Sequence, residues 1–263
     1  MDLGLKDKRA LVLSSSRGLG LGIGTALADE GAAVILVGRN RDRLAAAADK
    51  VNARGGGGSA TPIVADLTKA ADIESLIGRV EDKTGGIDIL VNNTCGPPAK
   101  PAIAVSVADL TTQFEIMVAS VIGITNRFLP GMRARKWDRI LTIASSGVLQ
   151  PIPNLALSNT LRLPLLGWSK TLAAEVAADG VTVNVILPGR IQTERLNEID
   201  QHTAATTGAG VEDVINASKL AIPMGRYGTV EELGAVAAFL AGVSASYITG
   251  SIIHVDGGYI KSV

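Results

Sequence analysis

Seven short aliphatic or β-branched runs recur along this chain of 263 residues, at 10–13, 33–37, 61–65, 87–91, 139–143, 181–187 and 251–255, and most are apolar at consecutive rather than alternate positions. A strand that is apolar on both faces must be covered on both, the condition of a parallel sheet lying between helical layers. Ala- and Leu-rich segments with helical spacing supply the cover, at 19–30, 41–53, 71–84, 106–133, 155–178 and 229–243. The last opens on Thr229 with Glu232 three residues on, the spacing of a capping box. The pattern predicts an α/β fold: a doubly wound, seven-stranded parallel sheet with helices on both faces, three layers (α/β/α) in all. With no repeat and no linker, 1–263 reads as one domain. The stretch at 190–227 is longer than a connection needs and contains a short helical piece at 211–220, so it is expected to form a lid over a substrate.

Charge and cysteine content narrow the function classes. Twenty-five basic residues balance 25 acidic ones at a sequence pI near 6.7, which leaves no basic excess for nucleic acid or an anionic membrane surface. One cysteine, Cys95, excludes an internal disulfide, and with only His202 and His254 beside it no metal cluster is expected. Cys95 is expected to be a small buried hydrophobe, Trp168 and Phe114 to pack in the core or a subunit contact, and His202 to be solvated in the lid. The charged start does not read as a signal peptide, no apolar run reaches membrane-spanning length, and a cytoplasmic protein is expected.

The first strand runs into Ser14, Ser15, Ser16, Arg17, Gly18, Leu19 and Gly20, where a helix opens. Strand, small-residue turn and helix N-terminus together make an anion site, since unpaired N–H groups and the positive helix end face the anion. Such a turn also serves simply to let helix and strand pack closely. The second strand ends Val37, Gly38, Arg39, where an NAD site of Rossmann type needs a carboxylate for the ribose 2′-hydroxyl. Arg39, with Arg17 beside it, suits instead the 2′-phosphate of NADP, so NADP(H) is expected over NAD(H); the alternative is that both are solvated surface charges.

Over nearly its whole length the chain resembles the short-chain dehydrogenases/reductases. The matching residues are the turn ending Gly18, Leu19, Gly20; Asp66; Asn92, Asn93, Thr94; Ser145; Asn184; Pro188, Gly189; and Thr249, Gly250 with Val255 to Gly258. The resemblance implies that Ser14, Ser16, Arg17, Gly18, Leu19 and Gly20 form the phosphate turn, that Asp66 and Leu67 contact the adenine, that Asn92 and Thr94 carry the cofactor along the sheet edge, and that Pro188, Gly189, Ile191 and Thr193 hold the nicotinamide. Two departures stand out: the family's Thr-Gly is here Leu13, Ser14, and its Asn-Asn-Ala-Gly is Asn92, Asn93, Thr94, Cys95.

The family's chemistry is hydride transfer to or from a carbonyl or alcohol carbon, with a serine, a tyrosine and a lysine four residues after it. Ser145 takes the serine position. Thirteen residues on, the tyrosine position is Ser158 and the lysine position Arg162, and none of Tyr227, Tyr247 or Tyr259 is followed by a lysine at that spacing. The family's helix asparagine falls at Met117. Ser158 and Arg162 share one helix face. Arg162 is expected to bind the nicotinamide ribose and to stabilise oxyanion character, with a proton relayed through Ser158; the alternative makes Ser158 a helix cap and Arg162 a surface or subunit-contact residue. The expected activity is an NADP(H)-dependent oxidoreductase similar to 3-oxoacyl-(acyl carrier protein) reductases and acting on a small carbonyl or alcohol, with catalytic Ser145, Ser158 and Arg162. The competing reading is an NADP(H)-binding sensor or partner subunit without turnover. Apolar residues around much of the helices at 106–133 and 155–178 point to a homo-oligomer, tetramer or dimer.

Overall fold

A computed structural model describes residues 2–262. Seven strands form one parallel sheet: β1 (Arg9–Val12), β2 (Ala33–Gly38), β3 (Ser59–Val64), β4 (Ile89–Asn92), β5 (Asp138–Ile143), β6 (Val181–Pro188) and β7 (Ile252–Val255), in the order β3-β2-β1-β4-β5-β6-β7. Ala10 lies opposite Val34 on one side and Ile89 on the other, and the register runs on from there without a bulge. The sheet is doubly wound as expected, and its order reverses between β1 and β4, which opens a crevice beyond the carboxyl ends of those strands.

The period-2 alternation of β1 shows why the central strands are apolar on both faces. Ala10 and Val12 pack beneath α1 (Gly18–Asp29), α2 (Arg41–Asn52) and α9 (Val230–Ala241), meeting Ile23, Leu27, Leu44 and Leu233. Leu11 points the other way, beneath α3 (Ala70–Thr84), α5 (Ser120–Arg135) and α6 (Ala156–Val176), against Leu76, Ile77, Phe128 and Leu172. At the amino ends of the central strands Asp88 is paired with Arg9 and Arg135, and Arg135 also donates to the buried Asp138 at 2.9 Å. Trp137 lies between Lys8 and Arg139, at 3.6 and 4.4 Å from its ring centre.

The long helix expected at 106–133 is present, and one further helix was not foreseen. The helix at 106–133 is a continuous stretch of α4 (Val107–Phe114), a π-helical turn Glu115–Ala119 and α5, capped at its start by a reciprocal pair between Ser106 and Asp109. By length and composition alone, Val107–Arg135 is long and apolar enough to cross a membrane; here Ile124, Phe128 and Met132 of that stretch are packed on the sheet. Phe114 is on its exposed side, outside the core and open to the subunit contact that was its alternative placing, and Trp168 packs between two apolar clusters as expected. The segment 190–227, expected to form a lid, holds the expected helix α8 (Val211–Leu220) and a second one, α7 (Glu194–Thr207). Of α7 only Leu196, Asp200 and Ala204 are buried, one residue per turn, so its apolar stripe is too thin to be recognised from spacing. The predicted capping box of α9 is formed: the Thr229 hydroxyl accepts from Glu232 N–H at 3.2 Å and the Glu232 carboxylate from Thr229 N–H at 2.8 Å.

Candidate active site

The crevice at the strand reversal is a cleft of about 450 Å³ bounded by the turn after β1, the segments after β4 and β5, the start of α6 and the lid base. The turn is fixed from below. Ser15 Oγ donates to the Val12 carbonyl at 2.7 Å and accepts from Val37 N–H at 2.9 Å, while Asn93 Nδ2 donates to the carbonyls of Leu13 and Ser14 at 3.2 and 3.1 Å. Ser14 adopts a left-handed conformation (φ +48°), which glycine accommodates at lower cost and which Ser tolerates here because the turn is held from both sides. A Cβ on Gly20 would stand 2.6 Å from the Ser14 carbonyl oxygen and 2.8 Å from Asn93 Nδ2, so the close approach of α1 to the turn requires glycine there. Arg17 precedes α1 in extended conformation without capping it by its side chain, which leaves the first N–H groups of the helix open to an anion.

Of the residues expected at a dinucleotide, Ser14, Arg17, Gly18, Leu19, Arg39, Thr94, Pro188, Gly189, Ile191 and Thr193 line the cleft. Ser16 and Gly20 shape it from behind: Ser16 packs on Gly38 and Gly20 on the turn. Arg17 is held by Glu194, with Glu198 at 3.3 Å, so it ties the turn to the lid, and Arg39 enters no ion pair among the described residues. Asp66 and Leu67 lie at the end of β3, outside the cleft wall. The Asp66 carboxyl accepts from Thr68 N–H at 3.1 Å, and this bond, followed by the charges of Arg39 and Lys69, keeps it below the usual carboxylate range. Leu67 leans on the core. The expectation for Asn92 is corrected. It is buried at the end of β4 and its Nδ2 donates to Thr125 Oγ1 at 3.0 Å, away from the cleft; the next residue, Asn93, faces the cleft because successive side chains leave a strand in opposite directions.

At the other end Ser145, Ser158 and Arg162 come together on one wall as expected. Ser145 Oγ accepts from Gly147 N–H at 3.1 Å, which fixes the turn after β5. The alternative roles of the other two are excluded by position. Leu155 precedes the first residue of α6, so Ser158 is the third helical residue and not the cap, and Arg162 is 7% exposed and not on the surface. The guanidinium of Arg162 donates to the Ile143 carbonyl at 2.9 Å and to the Thr94 carbonyl at 3.3 Å. Burial draws its pKa down to about 10, with the charge of Arg195 acting in the same direction and Cys95 opposing; it remains a cation at neutral pH. Thr94 Oγ1 is buried without a hydrogen-bond partner. Met117, where the family's asparagine falls, is buried in the π-helical turn against Leu157 and Leu161 and lends the cleft no polar group.

No tyrosine among the described residues lines this cleft. Tyr227 is buried in the lid, its hydroxyl donating to Asp200 at 2.8 Å while Arg190 approaches the same carboxylate at 3.2 Å. That trio, with Gln192 N–H donating to the Gly228 carbonyl at 2.8 Å and Gly228 N–H to the Arg190 carbonyl at 2.9 Å, ties together the two ends of the segment 190–227. His202 is exposed on α7 and lines no part of the cleft, in keeping with a solvated residue. Cys95 is corrected: it is exposed on the cleft wall because the chain has already left β4. Asn93, Glu194, Arg195 and Glu198 were not foreseen. Of these, only Asn93 had a sequence signal, its place in the matching Asn-Asn-Thr.

Residues 13–260 match the family model described as enoyl-(acyl carrier protein) reductase. The chain is similar to the uncharacterized oxidoreductase YvrD of Bacillus subtilis (32% identity, all of both chains) and to the 3-oxoacyl-[acyl-carrier-protein] reductase FabG of Aquifex aeolicus (33%, 98% of this chain and 99% of that one). Among solved structures, L-sorbose reductase from Gluconobacter frateurii, complexed with NADPH and L-sorbose, superposes with a TM-score of 0.93 at 31% identity over the whole of both chains.

Proposed function

The chain belongs to the short-chain dehydrogenase/reductase family of oxidoreductases, and from that premise we propose that it is an NADP(H)-dependent reductase of a small carbonyl compound, similar to the 3-oxoacyl reductases, in which Ser145, Ser158 and Arg162 replace the family's serine, tyrosine and lysine. The observation that carries the reading is the buried Arg162 cation on the same cleft wall as two serine hydroxyls.

The residues present suit the cofactor. The glycine cradle at Gly20 admits a phosphate-binding turn, the open N-terminus of α1 faces it, and Arg39 stands without a carboxylate partner where a 2′-phosphate is expected. Pro188, Gly189, Ile191 and Thr193 would hold the nicotinamide end, Asn93 and Thr94 the path between, and Asp66 and Leu67 the adenine edge. When bound, NADPH supplies the hydride. Arg162 then contributes a fixed positive charge, itself buried from solvent, to the oxygen on which negative charge develops. Ser145 Oγ orients that oxygen, and Ser158 Oγ hands on a proton drawn from solvent, since neither a serine nor an arginine is itself an acid suited to neutral pH. Exposed Val107, Phe114 and Leu163, on α4 and α6, support a homo-oligomer built through those helices.

One observation favours a second reading. With Tyr227 bonded to Asp200 in the segment 190–227 and no tyrosine among the described residues lining the cleft, the family's phenolic proton donor has no stand-in, as suits an NADP(H)-binding sensor or partner subunit. NADPH oxidation by the purified protein against ketones, aldehydes and oxoacyl thioesters, with nicotinamide fluorescence recorded on the same samples, separates the two. Turnover supports the reductase; tight binding with no turnover across the panel supports the sensor.

A further inference from the structure

We infer that the carbonyl substrate carries a carboxylate, gripped by Arg195 beside the fixed charge of Arg162 at the Thr94–Pro97 segment of the cleft wall, an inference that rests on the reductase reading. Both guanidiniums are moored to this one short segment. Arg162 donates to the carbonyl of its first residue, Thr94, at 3.3 Å, and Arg195 to that of its last, Pro97, at 2.8 Å. Between them Gly96 leaves room for the lid residue: a Cβ there would already stand 3.3 Å from Arg195 Nε.

The charge on this wall is unbalanced. Arg162 is nine-tenths buried and bonds only to backbone carbonyls, which satisfy its N–H groups but not its charge. Arg195 has only Glu198, at 3.3 Å, and shares it with Arg17, which lies at the same distance and also holds Glu194. Three guanidiniums therefore meet two carboxylates, and the surplus positive charge falls on the Arg162 side, since Glu194 and Glu198 both face Arg17. The cofactor's phosphates have their own donors at the opposite end, in the turn before α1 and at Arg39. Thr94 lies on the same wall, and its own hydroxyl is buried without a hydrogen-bond partner. A forked donor beside a second fixed cation suits a planar two-oxygen anion, and Arg195 is the more exposed of the two, at 39% of its side chain.

The test is calorimetric titration of acetoacetate and 4-oxopentanoate, each against its methyl ester, into the protein alone and into the protein with NADP⁺. At least one acid is expected to bind about tenfold or more tightly than its ester, as charge-assisted bonds to a guanidinium provide. The Arg195→Gln variant is expected to lose most of that preference, and Arg195→Lys to keep part of it. Acid and ester binding alike, or a preference unchanged in Arg195→Gln, would overturn the inference. Failure of the reductase reading shows separately, as absent NADP⁺ binding or absent turnover of acids and esters alike, while the acid-to-ester ratio on the protein alone still decides the anion site.

Discussion

Replacing Arg39 by alanine isolates the part of the cofactor site that distinguishes the two dinucleotides. Arg39 follows Gly38 at the carboxyl end of β2 and lines the cleft, whereas Arg17, the other guanidinium at that end, is already held by Glu194 and Glu198. The discrimination therefore falls mainly on Arg39. A hydrogen bond to a charged group contributes about 1.5–3 kcal/mol, and Arg39 is exposed, so screening by salt places the value near the lower limit. A loss of about 1.5–2 kcal/mol corresponds to NADPH affinity weaker by about 10- to 30-fold. NADH has no 2′-phosphate, and its affinity is expected to stay within about twofold. Arg39→Asp is expected to go further and favour NADH, because a carboxylate accepts from the 2′-hydroxyl and repels a phosphate. Fluorescence titration of both dinucleotides at fixed salt measures this. Equal weakening of NADPH and NADH in Arg39→Ala would refute the assignment.

Two further outcomes follow from the packing. Gly20→Ala drives a methyl to 2.6 Å from the Ser14 carbonyl and is expected to lower stability by about 1–3 kcal/mol and to abolish dinucleotide binding, read by urea unfolding and nicotinamide fluorescence. Burial raises the Asp138 carboxyl from its ordinary 3.8 to about 6, so between those values the folded state binds the extra proton, and the stability this group contributes is full below about pH 4 and lost as pH rises through 6. The shift is worth about 3 kcal/mol, and Asp138→Asn is expected to gain on the parent by up to that amount between pH 4 and pH 7.5; a constant difference in unfolding free energy across this range would contradict the assignment.

What could be read from the sequence depended on how local the cause was. β1, β2, β5 and β6 were placed to within a residue or two because burial on both faces leaves an apolar run that nothing else explains. The α9 start was legible from Thr229 and Glu232 alone, since both halves of its cap lie within one turn. α7 was not, because only one residue per turn is buried. Within the site, Ser145, Ser158 and Arg162 were singled out by the resemblance to the family's serine, tyrosine and lysine positions, but the burial of Arg162 was not legible: its acceptors, Ile143 and Thr94, are 19 and 68 residues away. Asn92 was assigned to the cofactor and Asn93 was not, since a motif names a pair and only the strand's phase says which member faces the cleft. Arg195 belongs to no pattern and reaches the site only because the lid docks across 98 residues of chain to bond Pro97.

The most direct test of the claim that a buried guanidinium stands in for the family's lysine is the rate of NADPH oxidation by Arg162→Ala, on samples whose fold and NADPH binding are verified by circular dichroism and nicotinamide fluorescence. Losing a preorganised donor to developing negative charge is expected to lower kcat by about 100-fold or more, near 3 kcal/mol, with Arg162→Lys retaining part of the rate. Arg162→Ala turning over as fast as the parent, with NADPH bound equally well, would contradict it.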